Sequence, residues 1–384
     1  MKYKYNCLNK MTPKALTLLD SKYQESSLND ANIVFVRSTD MQNMELNDNA
    51  LIIGRTGIGV NTIPFKEYAN KGIVVVNTPG GNANGVKELT VLALVLAVRD
   101  IFGATSWVNS IKDDNDLVER IEKEKNKFTG SEIQGKVLGI IGLGAIGGLV
   151  ANIAIDLGMD VIGYDPYISI EHAWGLSKYI KRVNSLDELY KESNIISIHT
   201  PLKDDTRGIL NKSAFEKMNE GTVIINIARA ALVNDDDLSK YLESGHIARY
   251  ITDFPNPKTV KMKNTICFPH IGGATEESEE KCSIMAVKEV IDFIENGNIT
   301  NSVNYPKIQA GICEAKVRIT ICHKNKSGMI SKFSNILSSN NIAKMFNNSL
   351  EDIAYTIFDL DQSVTDDEIK LLESIDGVIR VRVL

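Results

Sequence analysis

The feature that most constrains the fold is a glycine-rich turn between an apolar strand and an apolar helix. The run at 137–147 reads VLGIIGLGAIG and contains the pattern GxGxxG at Gly142, Gly144 and Gly147. A second apolar strand then ends in Asp165, eighteen residues after the last glycine. Strand, turn, helix and an acidic strand end, in this order, predict a doubly wound α/β unit that binds a dinucleotide.

Each residue of this pattern has a physical role in dinucleotide binding. Gly142 permits the tight turn, Gly144 lets the backbone approach a pyrophosphate, and Gly147 lets helix and strand pack closely. The helix N-terminus offers free N–H groups to the phosphates. Asp165 would accept hydrogen bonds from ribose hydroxyls and repel a 2′-phosphate, so the sequence predicts NAD rather than NADP as the cofactor.

The alternation of strands and helices predicts the rest of the architecture. Three short apolar strands between residues 31 and 77 alternate with helical patterns, and the alternation restarts at Lys136 with six more strand candidates. Beyond a linker that contains Pro306 the order becomes βαββαβ, which is the ferredoxin-like pattern. The predicted fold class is therefore α/β, with two doubly wound, Rossmann-like parallel-sheet domains and a small ferredoxin-like domain.

Composition narrows the class of protein. Hydrophobic residues make up 43% and charged residues 24% of 384 residues, which is typical of a globular protein with two or three domains. The net charge of -6 does not favour binding to nucleic acid or to an anionic membrane. Five scattered cysteines without a C-x-x-C pair predict free thiols in a reducing compartment and no metal site. With no apolar signal core at the N-terminus, we predict a cytoplasmic protein.

Two residues at predicted strand ends have the chemistry that hydride transfer on a 2-hydroxy acid requires. Arg229 follows an apolar strand, and its planar fork suits a carboxylate. His270 also follows a strand, and a histidine suits the role of general acid and base near neutral pH. By itself each residue leaves an alternative: a surface salt bridge for Arg229, and a core or capping histidine for His270. His199 is the other histidine at a strand end, and we assign its segment to cofactor contact.

These motifs together resemble those of the D-isomer-specific 2-hydroxy acid dehydrogenases and, within them, the phosphoglycerate dehydrogenase branch. The shared segments are GLGAIG, HTPL at 199–202, NIARA at 226–230, TDFP at 252–255, PHIGGAT at 269–275, GRTGIGVNTI at 54–63 and NTPGGNANGVKEL at 77–89. The resemblance covers nearly the whole chain. It implies a discontinuous substrate-binding domain (1–97 and 280–305), an NAD-binding domain (98–279), a C-terminal ACT domain (312–384) and at least a homodimer.

The resemblance also assigns roles to individual residues. It makes Arg229 the substrate-orienting arginine, His270 the acid/base and Asp253 a residue near the nicotinamide carboxamide. The implied cofactor contacts are Ile58, Gly142, Gly144, Ala145, Ile146, Gly147, Asp165, Thr200, Ile227, Ala228, Asp253 and Gly273. The implied substrate contacts are Arg55, Gly57 and Gly59 for the carboxylate, and Arg37 and Ser38 for a phosphate.

One departure from the family concerns the partner of the histidine. Members usually carry a glutamate shortly after the Asp-x-Phe element, hydrogen-bonded to the histidine, but residues 254–269 contain no Asp or Glu. Asn256 and Lys258 stand nearest to the expected place. A carboxylate partner fixes the orientation of a catalytic imidazole. We therefore expect either a His270 without the usual carboxylate partner, or one that Asp253 or an acid from elsewhere orients.

The resemblance implies oxidation of 3-phospho-D-glycerate to 3-phosphooxypyruvate with NAD, the entry step of L-serine synthesis. The alternatives are a glycerate, hydroxypyruvate or 2-oxoglutarate reductase of the same family, and a regulator that senses NAD without catalysis. In the C-terminal domain, His323, Asn325 and Asn341 match a serine-binding pattern, which implies L-serine as an effector. Ser327 replaces the proline usual in that pattern, and a dimerisation module is the alternative there.

Overall fold

The computed structural model describes residues 2–384 and divides into two compact units. The first comprises the chain up to Gly81 together with Glu279–Leu384, and the second is Asn82–Ser278. Two of the three β-sheets lie in the first unit and one in the second. The predicted fold class is confirmed: two doubly wound parallel sheets and a small antiparallel βαββαβ sheet.

The first unit begins with a five-stranded parallel sheet. Its strands are β1 (Tyr3–Cys7), β2 (Tyr23–Glu25), β3 (Ile33–Val36), β4 (Ile52–Arg55) and β5 (Val74–Val76), and its short helices are α1 (Pro13–Leu16) and α2 (Phe65–Asn70). The strand order is β2-β1-β3-β4-β5. Strands β3 and β5 are fully buried runs of branched and aromatic residues, which the sequence predicted. Strands β1 and β2 were not predicted, because their polar and half-buried residues lack such a run.

The second unit is built on a seven-stranded parallel sheet. Its strands are β6 (Val137–Ile141), β7 (Asp160–Tyr164), β8 (Lys181–Arg182), β9 (Ile195–Ile198), β10 (Thr222–Asn226), β11 (Ile247–Thr252) and β12 (Thr265–Cys267). The order is β12-β11-β10-β9-β6-β7-β8. The order reverses at β6, which pairs with β7 on one side and β9 on the other. Ligands of open α/β sheets bind beyond the carboxyl ends of the strands at such a reversal.

Helices cover both faces of this sheet. They are α3 (Ala83–Val98), α4 (Ile101–Ser110), α5 (Leu117–Glu124), α6 (Gly147–Asp156), α7 (Ile170–Trp174), α8 (Leu186–Glu192), α9 (Lys212–Phe215) and α10 (Asp235–Ser244). The first compact unit ends at Gly81, whereas the domain boundary predicted from the sequence lies at residue 97. The reason is that α3 packs on this sheet, with Ala93 and Leu94 in one core with Leu138 and Val150.

The C-terminal domain is a four-stranded antiparallel sheet with two helices. Its elements are β13 (Val317–Lys324), α12 (Met329–Ile336), β14 (Ile342–Leu350), β15 (Ile353–Leu360), α13 (Asp366–Glu373) and β16 (Val378–Val383), and the long helix α11 (Glu276–Asn296) precedes them. The strand order is β14-β15-β13-β16.

This sheet, which lies within the predicted domain at 312–384, belongs to the same compact unit as the N-terminal sheet. Tyr355 lies in the same core as Phe35 of β3. Arg380 of β16 donates hydrogen bonds to the carbonyl oxygens of Ala50 and Lys71 at 2.6 and 2.9 Å. These contacts join residues about three hundred positions apart, so no local pattern could have predicted them.

Within residues 2–384, no single helix is long and apolar enough to cross a membrane, although the bent pair α3 and α4 together would meet those two criteria. All five cysteines are unpaired. Among the described residues, no three His, Cys, Asp or Glu side chains lie close enough to hold a metal ion.

Candidate active site

The glycine-rich turn lies at the carboxyl end of β6, where the strand order reverses. Gly142 has φ +90° and donates its N–H to the carbonyl oxygen of Tyr164 at 2.9 Å. A Cβ at Gly147 would lie 1.9 Å from the carbonyl oxygen of Gly142, so this position requires glycine. A Cβ at Gly144 would meet nothing within 4 Å. The turn is therefore tightly packed at Gly147 and open at Gly144, which leaves room for a ligand beside Gly144.

Three further features of this turn fit a dinucleotide. Within the part of the chain that the structure describes, the N–H groups of Ala145 and Ile146 have no hydrogen-bond acceptor. The hydroxyl of Thr200, whose side chain lies beside Gly142, is buried and has no partner among residues 2–384. Asp165 accepts hydrogen bonds from the N–H groups of Leu143 and Tyr167 at 2.8 and 2.9 Å. Each carboxylate oxygen retains a lone pair, so Asp165 can brace the turn and still accept a bond from a ribose hydroxyl.

The structure also describes three other predicted cofactor residues of this unit, which are Ile227, Ala228 and Gly273. Ile227 is buried in the core under the sheet, so only its backbone could reach a ligand. The N–H of Ala228 donates to the Asn226 side chain at 3.1 Å. A Cβ at Gly273 would lie 2.5 Å from the side-chain nitrogen of Asn82, which accounts for glycine there.

His199 is a buried residue under the glycine turn. Its Nε2 lies 2.9 Å from the hydroxyl of Ser197, and its Nδ1 has no hydrogen-bond partner among the described residues. Burial lowers the pKa of His199 to about 4, because a charged imidazolium is poorly solvated there. The ring is therefore neutral near pH 7. It fills space under the glycine turn and adds no charge there.

The burial of His199 predicts that stability falls in acid. Between its unfolded pKa near 6.5 and its folded pKa of about 4, the unfolded chain binds the proton more tightly. The contribution is complete above the unfolded pKa and decreases as the pH falls towards the folded one, by up to about 3 kcal/mol. Urea unfolding near pH 7 and near pH 5 measures the part of this decrease that falls in that interval, about 2 kcal/mol.

His199→Gln should reduce the difference between the two pH values. His172 of α7 is exposed, and His172→Gln, its matched control, should behave like the wild type. An equal acid-induced loss in wild type and His199→Gln would contradict this explanation.

Arg229 follows β10 and is held by a side chain that the sequence analysis missed. The side-chain oxygen of Asn226 accepts the N–H of Arg229 at 3.3 Å, and its nitrogen donates to the Arg229 carbonyl oxygen at 2.9 Å. The same nitrogen donates to the Tyr250 hydroxyl at 3.1 Å. A buried asparagine that ends an otherwise apolar strand was the signal in the sequence. Asn226 thus fixes the backbone from which Arg229 extends.

The guanidinium group of Arg229 is half-buried and available for an anion. It donates to the Ala228 carbonyl oxygen at 2.6 Å and lies 5.4 Å from the ring centre of Phe254. Burial lowers the pKa of Arg229. No carboxylate among the described residues pairs with it, so the surface salt bridge considered above is not formed. A cation with incomplete solvation and no counter-ion favours binding of a carboxylate.

His270 is exposed and lies on the same aromatic side chain. Its ring centre is 4.4 Å from that of Phe254, so Phe254 contacts both Arg229 and His270. The sequence analysis did not identify Phe254 as a site residue. His270 has φ +58°, in the left-handed region, which Asn, Asp and His adopt more often than other non-glycine residues. The core histidine considered above is therefore wrong for His270.

We considered that Asp253 could orient the imidazole directly, but the structure shows no such contact among the described residues. Its carboxylate is 1% exposed and accepts the N–H groups of Ile271 and Gly272 at 2.8 and 2.7 Å. Within residues 2–384 it makes no hydrogen bond to the ring of His270. At the place of the missing glutamate, the Asn256 side chain donates to Asp235 at 2.8 Å. Asp253 is thus a positioning residue that fixes the backbone after His270.

Replacing Asp253 by asparagine is expected to lower kcat about 10- to 100-fold, with a smaller effect on KM. An amide can accept only one of the two backbone N–H groups, and a hydrogen bond to a charged group contributes about 1.5–3 kcal/mol. The shape of the pH profile of kcat should not change, because the carboxylate does not touch the ring. Asp236→Asn, at an exposed acid of α10, is the control. A shifted pH profile with an unchanged maximum would contradict a role through the backbone.

In the first unit, the predicted substrate turn follows β4. Gly57 has φ +131°, and its N–H donates to the hydroxyl of Thr78 at 2.7 Å. The Asn77 side chain donates to the Ile58 carbonyl oxygen at 2.8 Å. The turn that contains Arg55, Gly57 and Gly59 is therefore braced by the segment after β5.

The predicted phosphate residues follow β3 in the same unit. The guanidinium of Arg37 lies 2.6 Å from a carboxylate oxygen of Glu279. The side-chain oxygen of Asn9 accepts the N–H groups of Arg37, Ser38 and Thr39 at 2.8, 3.1 and 3.2 Å. Neither Asn9 nor Glu279 was identified from the sequence.

The three predicted effector residues are engaged inside the C-terminal domain. His323 is 2% exposed, and its ring nitrogens lie 2.8 Å from the Lys324 carbonyl oxygen and from the Thr356 hydroxyl. The Asn325 side chain donates to a carbonyl oxygen at 3.1 Å, and that of Asn341 donates to Asp361. A ligand could reach His323 only by replacing one of its two bonds.

Comparisons with known proteins agree with this geometry. The profile of the D-isomer specific 2-hydroxyacid dehydrogenase NAD binding domain matches residues 92–272. The D-3-phosphoglycerate dehydrogenase of Haemophilus influenzae is 30% identical over 95% of this chain and 90% of that protein. That of Archaeoglobus fulgidus is 32% identical over 72% of this chain but only 52% of that protein, so the chain spans about half of it.

Two solved structures, a dehydrogenase and a reductase, have the same fold. The NAD+-bound 3-phosphoglycerate dehydrogenase of Entamoeba histolytica is 26% identical with a TM-score of 0.60, and the match covers 79% of this chain and 99% of that one. A glyoxylate reductase from Paecilomyes thermophila is 23% identical with a TM-score of 0.62, covering 79% and 98%. The second likeness concerns the fold alone.

Proposed function

This chain belongs to the D-isomer specific 2-hydroxyacid dehydrogenase family, and on that premise we propose that it oxidises 3-phospho-D-glycerate to 3-phosphooxypyruvate with NAD, the entry step of L-serine synthesis. The observation that carries the proposal is the pair formed by Arg229 and His270 on the ring of Phe254. Arg229 is a cation that has no counter-ion among the described residues, and His270 is an exposed imidazole. These are the groups that oxidation of a 2-hydroxy acid requires.

The roles follow from the chemistry of the two side chains. Arg229 holds the substrate carboxylate and stabilises negative charge as it develops on the C2 oxygen. His270 takes the proton of the C2 hydroxyl in oxidation and returns it in reduction. Bound NAD supplies the hydride acceptor. Asn226 and Asp253 hold the two backbones in place, so that Arg229 and His270 are oriented before substrate arrives.

The substrate phosphate is assigned to Arg37 and Ser38, supported by their place after β3 and by the names of the relatives. Arg37→Ala is expected to raise KM for 3-phosphoglycerate about tenfold or more, since it removes a charge-assisted contact. It should leave KM for D-glycerate unchanged. Initial rates of NADH formation measure both. An equal rise for both substrates would contradict a phosphate site at Arg37.

The proposal as a whole is tested by NADH formation with 3-phosphoglycerate, D-glycerate and D-lactate side by side. The highest kcat/KM with the phosphorylated acid supports it, and a preference for either other acid favours another member of the family. NAD binding without turnover of any of the three would favour a regulator that senses NAD.

We also propose that the protein forms a homodimer or higher homo-oligomer. Helix α4 buries none of its side chains, and it exposes Ile101, Phe102 and Val108. Apolar side chains clustered on one helix favour a protein partner. Light scattering after size-exclusion chromatography gives the oligomeric state, and a monomer would contradict the proposal.

L-serine is proposed as the effector of the C-terminal domain, on the pattern of His323, Asn325 and Asn341. Binding requires their internal hydrogen bonds to be exchanged for bonds to serine. Titration calorimetry with wild type and Asn341→Ala tests this. Heat from the wild type that Asn341→Ala loses supports the proposal, and no heat from either contradicts it.

A further inference from the structure

Arg37 carries an ion pair whose partner lies far away in the sequence. Its guanidinium is 2.6 Å from Glu279 of α11, and both side chains are 41% exposed. Exposed pairs of this kind are weak, contributing between nothing and about one kcal/mol. The contact can therefore be broken by a stronger anion.

The backbone that carries Arg37 is fixed independently of this ion pair. Three consecutive N–H groups, from Arg37 to Thr39, converge on the side-chain oxygen of Asn9, and the hydroxyl of Thr39 also donates to it at 3.1 Å. Loss of the Glu279 contact would therefore free the guanidinium group without loosening the loop. Arg37 can therefore exchange one anion for another while its backbone stays in place.

On the proposed function, on which this inference rests, we propose that Glu279 is a specificity-determining residue. Its carboxylate occupies Arg37 in the free protein, and the substrate phosphate displaces it. Glu279 therefore weakens the binding of a phosphorylated 2-hydroxy acid relative to its unphosphorylated counterpart. A phosphate dianion competes well for the guanidinium, because it carries more charge than a carboxylate and matches the fork bidentately.

The neighbouring residue Glu280 provides a matched control. It lies next to Glu279 on α11 and pairs with Lys14 at 2.6 Å, with its side chain 38% exposed. Both glutamates lie near the N-terminus of α11, where acidic side chains stabilise a helix. Glu279→Gln and Glu280→Gln thus change the net charge and the helix terminus alike, but only Glu279→Gln removes the partner of Arg37.

Steady-state kinetics with 3-phosphoglycerate and D-glycerate tests the inference. Glu279→Gln is expected to lower KM for 3-phosphoglycerate about two- to fivefold, the range that loss of one exposed ion pair allows. Its kcat and its KM for D-glycerate should stay unchanged, as should all constants of Glu280→Gln. High salt should reduce the difference, because exposed charges are screened. In an Arg37→Ala background, Glu279→Gln should have no effect on KM.

The opposite results are equally clear. A raised KM for 3-phosphoglycerate in Glu279→Gln would show that the glutamate holds Arg37 ready for substrate and does not compete with it. An equal decrease in Glu280→Gln, or an effect that persists without Arg37, would show a general charge effect. Each overturns the inference. If the wild type does not oxidise 3-phosphoglycerate at all, the proposed function fails instead, and the two failures are distinguishable.

Discussion

His270→Asn is expected to lower kcat about 10²- to 10⁴-fold, the range attributed to a positioned general acid or base. Asparagine is the sharpest substitution here, since it tolerates the left-handed backbone of His270 at φ +58°. It also keeps a polar planar group against Phe254 while removing the titratable nitrogen. The fall should appear in kcat with 3-phosphoglycerate, measured as NADH formation.

Binding of NAD separates loss of chemistry from loss of structure. The glycine turn and Asp165 make no hydrogen bond to His270 among the described residues, so the affinity of His270→Asn for NAD should equal that of the wild type. His172→Asn, at an exposed histidine, serves as the control for kcat. Retention of more than about a tenth of the wild-type kcat would identify another group as the acid and base.

Arg229→Lys is expected to lower kcat/KM about 10²- to 10³-fold, comparable to the loss of one oxyanion donor. Lysine keeps the charge but loses the planar fork that binds a carboxylate and polarises an adjacent oxygen together. Among the described residues, the side chain of Arg229 makes one hydrogen bond, to the Ala228 carbonyl oxygen. Folding should therefore change little, and the melting temperature checks this.

The matched control for this prediction is Arg207→Lys, at an exposed arginine of the same unit. Its kcat/KM should equal that of the wild type. A loss in Arg229→Lys confined to KM, with kcat unchanged, would mean that Arg229 binds substrate and transition state equally. That result would contradict its role in stabilising charge on the C2 oxygen.

Local patterns predicted the elements around the glycine turn with small errors. The strand at Asp160–Tyr164 and the helix at Glu276–Asn296 have the bounds that the sequence indicated. Both depend on apolar periodicity and on stop signals within the segment itself. Strand β1 was not predicted, because its aromatic and polar residues alternate without a continuous apolar run.

In the candidate site, too, local sequence predicted some features and missed others. Arg229 and His270 were recognisable because each follows a strand within a short motif. The bond from Asp253 to the backbone after His270 was not, since the sequence shows a carboxylate nearby but not which way it points. The ion pair of Arg37 and Glu279 joins residues 242 positions apart, and the sequence of neither segment indicates the contact with the other.

The sequence by itself determined the dinucleotide turn, most of the strands and helices, and the two residues that we propose carry the chemistry. These depend on backbone conformation and on periodicity, which a few neighbouring residues specify. The tertiary structure alone decided that Phe254 lies against both Arg229 and His270, that Glu279 occupies Arg37, and that the C-terminal sheet shares a core with the first. Such contacts depend on how distant segments pack, because a side chain acquires its partners only when the chain has folded around it.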